Sequence, residues 1–406
     1  MEKVKDEKLI PEVNVGMVGH VGHGKTALTE ALTGKLTLTH SEELKRGITI
    51  RLGYADATFY KCTKCGRYCT SEKCPYCFSD CEILRTVSFI DAPGHETLMA
   101  TVLTATSLMD GALLVIAANE KCPQPQTREH LAALEVAGIK NVVIIQNKID
   151  LVSKERAIES YHEIKNFVKG TILEDAPIIP TSAQQRTNID LVIQAIEEKI
   201  PTPKREDGDL KMLVARSFDV NRPGTEIEKL VGGVLGGSII QGKLKLDDEI
   251  EIKPGIKLGG KYKSLVTKVE GLQKAKRNLK EAGPGGLVGI LTTLDPSLTK
   301  SDSLVGNVVG LPGKLEESKD SLEIQVKLFE RLVGAKELKE VAPIKLKEDL
   351  LINVGTARTL GTVNSIKKDL VELKLKIPVY AEKNERVVIS RQFSGRWRLI
   401  GYGSVV

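Results

Sequence analysis

The sequence predicts three parts in succession: a doubly wound α/β domain on a mostly parallel sheet, then two β-barrels. Three observations lead there. A phosphate-loop pattern near the start stands between an apolar run and a short helical stretch. Short apolar strands then alternate with helical segments as far as Pro203, the order a parallel sheet requires. Beyond that point apolar and polar residues alternate at period two with glycines at the bends, which suits closed barrels.

The first element is Val13-Asn14-Val15-Gly16-Met17-Val18, apolar enough for a buried strand. It runs into Gly19-His20-Val21-Gly22-His23-Gly24-Lys25-Thr26, which fits G-x-x-x-x-G-K-[ST] at every fixed position. The stretch from Thr26 to Gly34 reads as a helix ending at a glycine cap. Strand, loop and helix in that order give the motif its meaning. Small residues let the backbone wrap an anion closely and aim its N–H groups and the positive helix end at the oxygens. Lys25 adds a point charge, and Thr26 a hydroxyl for magnesium.

Further strands are expected at Val87–Ile90, Ala112–Ala117, Val142–Ile145 and Ile178–Ile179. In such sheets ligands bind at the carboxyl ends of strands, and the next motifs sit there. Asp91-Ala92-Pro93-Gly94-His95 puts a carboxylate where it holds magnesium through water, and a glycine near a terminal phosphate. Asn147-Lys148-Ile149-Asp150 bears on the base, because one carboxylate at Asp150 accepts from both the ring N–H and the exocyclic amine of guanine. Adenine presents no such pair. Thr181-Ser182-Ala183 suits a backbone N–H to the guanine carbonyl. Between the loop helix and Asp91, Arg46-Gly47-Ile48-Thr49-Ile50 offers Thr49 as a second hydroxyl for the magnesium, which would tie loop order to the terminal phosphate. The first part is therefore an α/β P-loop GTPase domain in expectation.

Six of the seven cysteines fall between Cys62 and Cys81. Cys62-Thr63-Lys64-Cys65 and Cys74-Pro75-Tyr76-Cys77 are paired C-x-x-C knuckles, the spacing of a tetrahedral four-thiolate zinc site. A segment this short folds because of its metal. Cys69 and Cys81 fall outside the knuckles, spare thiols that could substitute as ligands, and Cys122 stands alone.

The polar stretch from Pro201 to Asp209 marks a linker, and Gly310-Leu311-Pro312-Gly313 a second break. Gly232–Lys245, Asp248–Ile252 and Ser321–Leu328 read as barrel strands. The expected division is 1–203 with the zinc knuckle at 62–77, then 204–314 and 315–406. A chain of 406 residues has room for two to four domains. With 41% hydrophobic and only 4% aromatic residues the cores are aliphatic, and base stacking contributes little to any nucleic-acid surface. A net charge of +6 leans towards an acidic partner such as RNA, although a mild excess also fits a solvated surface. Met1–Asp6 is charged where a signal peptide would be apolar, and no apolar run approaches a membrane span, so a cytoplasmic location is expected.

Assembled, these motifs resemble the translational GTPases, whose nucleotide domain precedes two β-barrels as in elongation factor Tu. Within that group the chain is most similar to the gamma subunits of archaeal and eukaryotic initiation factor 2. His40–Gly47, the zinc knuckle between the two switch regions, Pro123–His130 and the ending Gly395–Gly403 carry the likeness. The resemblance implies alpha and beta subunit partners, methionyl initiator tRNA as cargo and the small ribosomal subunit as destination. It implies slow GTP hydrolysis, with His95 near the attacking water, Lys25 on the phosphates, Thr26 and Thr49 on Mg2+, and Val21 and Ile48 as an apolar gate. One departure stands out: the family reads G-H-V-D-H-G-K-T where this chain has Gly22, and that Asp is expected to help a second magnesium beside the Gly47 backbone. Two rivals remain open. An elongation-type aminoacyl-tRNA carrier shares the architecture but not the zinc insert and tail, and a non-catalytic zinc nucleic-acid module with a degenerate P-loop would not need Asn147 and Asp150.

Overall fold

The computed structural model describes residues 7–37, 49, 52–95, 98–205, 207–333 and 340–406. The expectations placed on Gly47, on Ile48 and on His40–Arg46 lie outside the described residues. The chain divides into two compact units, one of Met1–Pro203 and one of Lys204–Leu332 with Lys339–Val406.

The first unit is a seven-stranded sheet with helices on its faces. Its strands are β1 (Pro11–Val18), β2 (Gly53–Cys62), β3 (Tyr68–Cys69), β4 (Cys81–Asp91), β5 (Gly111–Ala117), β6 (Val142–Asn147) and β7 (Ile178–Pro180). They lie in the order β3-β2-β4-β1-β5-β6-β7. From β4 to β7 every pairing is parallel, while β2 runs antiparallel to both β3 and β4. The long apolar runs of β1, β5 and β6 follow from burial on both faces. The helices are α1 (Lys25–Thr33), α2 (Met99–Thr106), α3 (Pro125–Ala137), α4 (Lys154–Val168) and α5 (Ile189–Lys199). Helix α1 stops at Gly34, whose φ of 68° suits a residue without Cβ and whose N–H bonds Glu30 O. Val15, Met17, Leu28, Phe59, Phe89 and Ile196 meet in the core between sheet and helices. Arg85 on β4, itself buried, donates to Ile196 O and Ile200 O and pairs with Glu197 at 2.8 Å, closing the carboxyl end of α5 onto the sheet.

The strands expected from apolar runs are present, while β2 and β3 extend the sheet beyond them. The cysteine insert is the far end of this antiparallel ribbon.

In the second unit, Glu249–Leu258, Val308–Gly310, Lys211–Phe218, Val234–Gln241, Val288–Thr292 and Lys261–Lys274 pair in that order, and the last returns to the first, so the sheet closes. Met212, Val214, Ile239, Ile250 and Ile290 fill this six-stranded barrel. A second closed barrel joins Lys319–Leu328, Leu370–Val379, Ala357–Lys367, Asp349–Val354, Arg386–Phe393 and Arg396–Val405. Closure leaves no long unpaired edge.

Candidate nucleotide and metal sites

The phosphate loop leaves β1 and enters α1 at the carboxyl edge of the sheet. Its backbone turns through conformations that glycine adopts freely. Gly24 has φ 90°, and a Cβ there would stand 2.3 Å from Asn147 Nδ2. Gly22, with φ 77°, has open space on its Cβ side. A side chain at that position would meet no crowding, only a left-handed backbone.

Lys25 is buried under the loop and donates to Gly19 O at 3.0 Å and His20 O at 2.9 Å. Burial pulls its pKa down to about 8, against the pull of Asp91. Two imidazoles brace the same loop. His130 on α3 accepts the Gly19 N–H at its Nδ1, 2.7 Å away. His23 Nδ1 bonds Val115 O at 3.1 Å. Glu120 Oε2 lies 3.5 Å from His23 Nε2, but burial draws the His23 pKa down to about 3, so the ring is neutral and the contact is not an ion pair. Burial also lowers His20 and, well below the ordinary value, His130. The lysine is thus the loop's cation.

Asp91, at the end of β4, is fully buried beside it. Its Oδ2 accepts from Thr26 at 2.8 Å, Thr37 at 2.7 Å and Thr49 at 3.4 Å, and the Thr26 and Thr49 hydroxyls are 3.0 Å apart. Its Oδ1 is buried with no hydrogen-bond partner. A cluster of hard oxygens around a carboxylate with one unsatisfied atom fits Mg2+. Thr26, Thr49 and Asp91 are brought together as the sequence predicts. Val21, Gly22, Lys25, Thr26, Thr49, Gly94 and His95 line one cleft of about 290 Å³.

Asn147 ties three loops together. Its Nδ2 donates to His23 O at 2.9 Å, and its Oδ1 accepts from the Ala183 N–H at 3.0 Å. Thr181 N–H bonds Gln146 O at 2.8 Å, which sets Ser182 and Ala183 beside the same strand end. Lys148 takes φ 62° and turns the chain into a short 3-10 helix, Ile149–Leu151, on which Asp150 is exposed. The Asp150 carboxylate is open while Asn147, at the end of β6, is buried.

Two braces escaped sequence reasoning, Thr37 and His130. Thr37 sits in no motif, and His130 ends the Pro123–His130 segment, which carried a likeness but no role. Arg216, one of several basic residues in the barrels, is engaged by Asp302 at 2.8 Å.

At the far end of the β2–β4 ribbon, the sulfurs of Cys62, Cys65, Cys74 and Cys77 lie within 4.8 Å of one another. Cys62 and Cys77 are 3.4 Å apart and Cys65 and Cys74 3.5 Å. A zinc ion with Zn–S of about 2.3 Å needs sulfurs about 3.8 Å apart, so the cluster is compatible with zinc. Each knuckle closes with the same backbone bond, Gly66 N–H to Cys62 O and Phe78 N–H to Cys74 O.

Residues 11–202 match the family described as Elongation factor Tu GTP binding domain, 232–310 match Elongation factor Tu domain 2, and 320–405 match Initiation factor eIF2 gamma, C terminal. The chain is 61% identical over 399 residues to Translation initiation factor 2 subunit gamma of Pyrococcus furiosus, covering 97% of each. It is 57% identical over 410 residues to the subunit of that name from Methanocaldococcus jannaschii, covering both in full. Among solved structures, a bacterial selenocysteine-specific elongation factor superposes with a TM-score of 0.74 at 23% identity, over 97% of this chain, which spans only 58% of that one. The elongation factor SelB of Methanococcus maripaludis, in complex with a GTP analogue, gives 0.71 at 22%, over 98% of this chain and 79% of its own. At that identity the two structures speak for the fold alone. Matched from end to end, the chain belongs to the gamma subunits of archaeal translation initiation factor 2, and is a GTPase of the translational family, which takes GTP and Mg2+.

Proposed function

We propose that the protein carries methionyl initiator tRNA to the small ribosomal subunit in its GTP state, as the gamma subunit of a heterotrimer with alpha and beta subunits, and hydrolyses GTP on release. It would work in the cytoplasm; among the described residues no helix is long and apolar enough to cross a membrane. The observation that carries the reading is the end-to-end likeness to named gamma subunits on a chain whose phosphate loop, Thr49 and Gly94–His95 line one cleft.

In this reading Gly19–Thr26 wraps the phosphates, with Lys25 leaving the carbonyls of Gly19 and His20 to meet them. Thr26 and Thr49, beside Asp91, would hold Mg2+, which would supply charge neutralisation for phosphoryl transfer. Gly94 lies by the terminal phosphate, and His95 orients the attacking water. Asn147, Lys148 and Asp150 with Ser182 and Ala183 select guanine. Cys62, Cys65, Cys74 and Cys77 hold one structural zinc. A second Mg2+ at the Gly47 backbone lacks a side-chain ligand, since Gly22 offers none. We divide the chain at 203 and 314, so that each barrel is a domain of its own.

Protection of the ester bond of methionyl initiator tRNA against hydrolysis, with GTP and an alpha subunit present, tests the carrier role. Equal protection of elongator species would favour the elongation-type reading, and no protection would remove the carrier role.

A further inference from the structure

Beside the four-cysteine cluster stand two thiols that no ligand role absorbs. Cys69 ends β3, Cys81 begins β4, and their Sγ atoms are 3.6 Å apart. Cys69 is buried and Cys81 is partly open. Neither belongs to the four-sulfur group. Both are held by backbone: Cys81 N–H donates to Glu72 O at 2.9 Å, and the Cys69 thiol to Ser71 O at 3.3 Å. Cys81 is also the ladder partner of Cys62, so the pair shares the frame of the knuckle without sharing its sulfurs.

We propose that Cys69 and Cys81 form a redox site of their own, a dithiol that closes to a disulfide by exchange with a low-molecular-weight disulfide while the neighbouring four cysteines keep their metal. The proposal rests on the zinc reading only for that last clause. A protein disulfide has sulfurs about 2.05 Å apart, so closure asks for an approach of about 1.5 Å. The four cluster sulfurs, as zinc thiolates, have their charge committed to the metal and are withdrawn from exchange.

The exchange balances without any further reactant. The more accessible Cys81, as thiolate, attacks one sulfur of RSSR, and the departing RS− takes up the proton that Cys81 gave. Cys69 then loses its proton, attacks the Cys81 sulfur, and the second RSH leaves. Two protein S–H bonds are lost, one S–S bond is gained, and RSSR is reduced to two RSH. Burial and the bond with Cys69 push the Cys81 thiol up to about 12, which makes the first step slow at neutral pH. Once closed, the bridge encloses residues 70–80, among them Cys74 and Cys77, and holds half of the metal site in a covalent loop.

The test uses the full-length protein with its zinc content measured first. It is incubated for hours with oxidised glutathione at pH ~8.5, where thiolates are better populated, then alkylated and cut at lysines, which separates the two cysteines at Lys73. The expected product is a linked Cys69–Cys81 peptide pair lighter by two hydrogens, with zinc unchanged and chelator-driven zinc release slowed severalfold. Cys69→Ser and Cys81→Ser each keep their zinc and show no link; Cys69→Ser carries a glutathione adduct on Cys81, and Cys81→Ser leaves the buried Cys69 unmodified. Alkylation of both thiols after the oxidant overturns the proposal. So does a link from either one to Cys62, Cys65, Cys74 or Cys77, or loss of zinc as the link forms. A preparation without zinc at the outset fails the four-cysteine reading instead, and the same peptide map still decides on the dithiol.

Discussion

The phosphate loop and the cysteine knuckle are both shaped for something that is not protein, yet they are prepared in opposite ways. The loop is held by many contacts to the protein's own groups. Lys25 is tucked onto Gly19 O and His20 O, His130 takes the Gly19 N–H, and Asn147 grips His23 O. The knuckle has a few backbone bonds and otherwise four sulfurs facing one another, with Cys65 exposed. One site pays its ordering cost in folding and the other leaves that cost to its ligand. Removing each ligand should therefore have very different consequences.

The largest effect is expected at the knuckle. Structural zinc in small sites contributes on the order of 10 kcal/mol of folding free energy. Chelation, or Cys62→Ser with Cys74→Ser, should strip amide-exchange protection from residues 62–81 while β1, β5 and β6 keep theirs. Stripping nucleotide should leave the loop amides protected. Equal loss in both regions would break the comparison.

Asn147 and Asp150 sharpen it within the nucleotide site. Asn147→Ala leaves a buried carbonyl and a buried N–H without partners, at about 2–4 kcal/mol. Melting temperature and GTP affinity should fall together. Asp150→Asn, on an exposed carboxylate, should leave melting unchanged, weaken GTP by about 2 kcal/mol and gain XTP binding. Unchanged GTP affinity with no gain of XTP would count against the guanine role.

The lowered Lys25 pKa gives a pH test. Because the free protein releases this proton near pH 8 while an unfolded chain holds it to about 10.4, stability from this group is absent below 8 and rises between those values. Nucleotide binding needs the charged form, so GDP affinity should fall roughly tenfold per unit above pH 8. A flat affinity profile from 7 to 9.5, by titration calorimetry, would show that the buried lysine is not the phosphate's cation.

The smallest effect belongs to Gly22→Asp. With space open but φ at 77°, the cost should be about 1 kcal/mol of stability. GTP affinity should stay within a few-fold. Single-turnover hydrolysis across magnesium concentrations then tells whether the carboxylate restores a second ion or whether position 22 is a matter of backbone alone.

The motifs at strand ends were legible because their chemistry needs particular residue types at short spacing. Lys25 and Thr26, Asp91 and Gly94, Asn147 and Asp150, and the two C-x-x-C pairs are all of this kind. The braces were not, because they are made by packing. His130 meets Gly19 across 111 positions and Thr37 meets Asp91 across 54. Strand β2 was faint for a related reason: its inward face begins with Gly53, Ala55 and Ala57, small residues that barely register as apolar alternation before Phe59. Gly53 is small because a Cβ there would stand 2.7 Å from the Thr37 Cβ.

The grip of Asn147 on His23 and Ala183 also bears on the order of events during synthesis. The phosphate loop emerges early, but the loop that fixes it from the far side is made only after more than half of the first unit has followed. A nascent chain ending before Ala183 has the signature of a nucleotide site without its closure, and contacts across such separations form late. Closure of the nucleotide site by Asn147 therefore waits until nearly all of the first unit has been made.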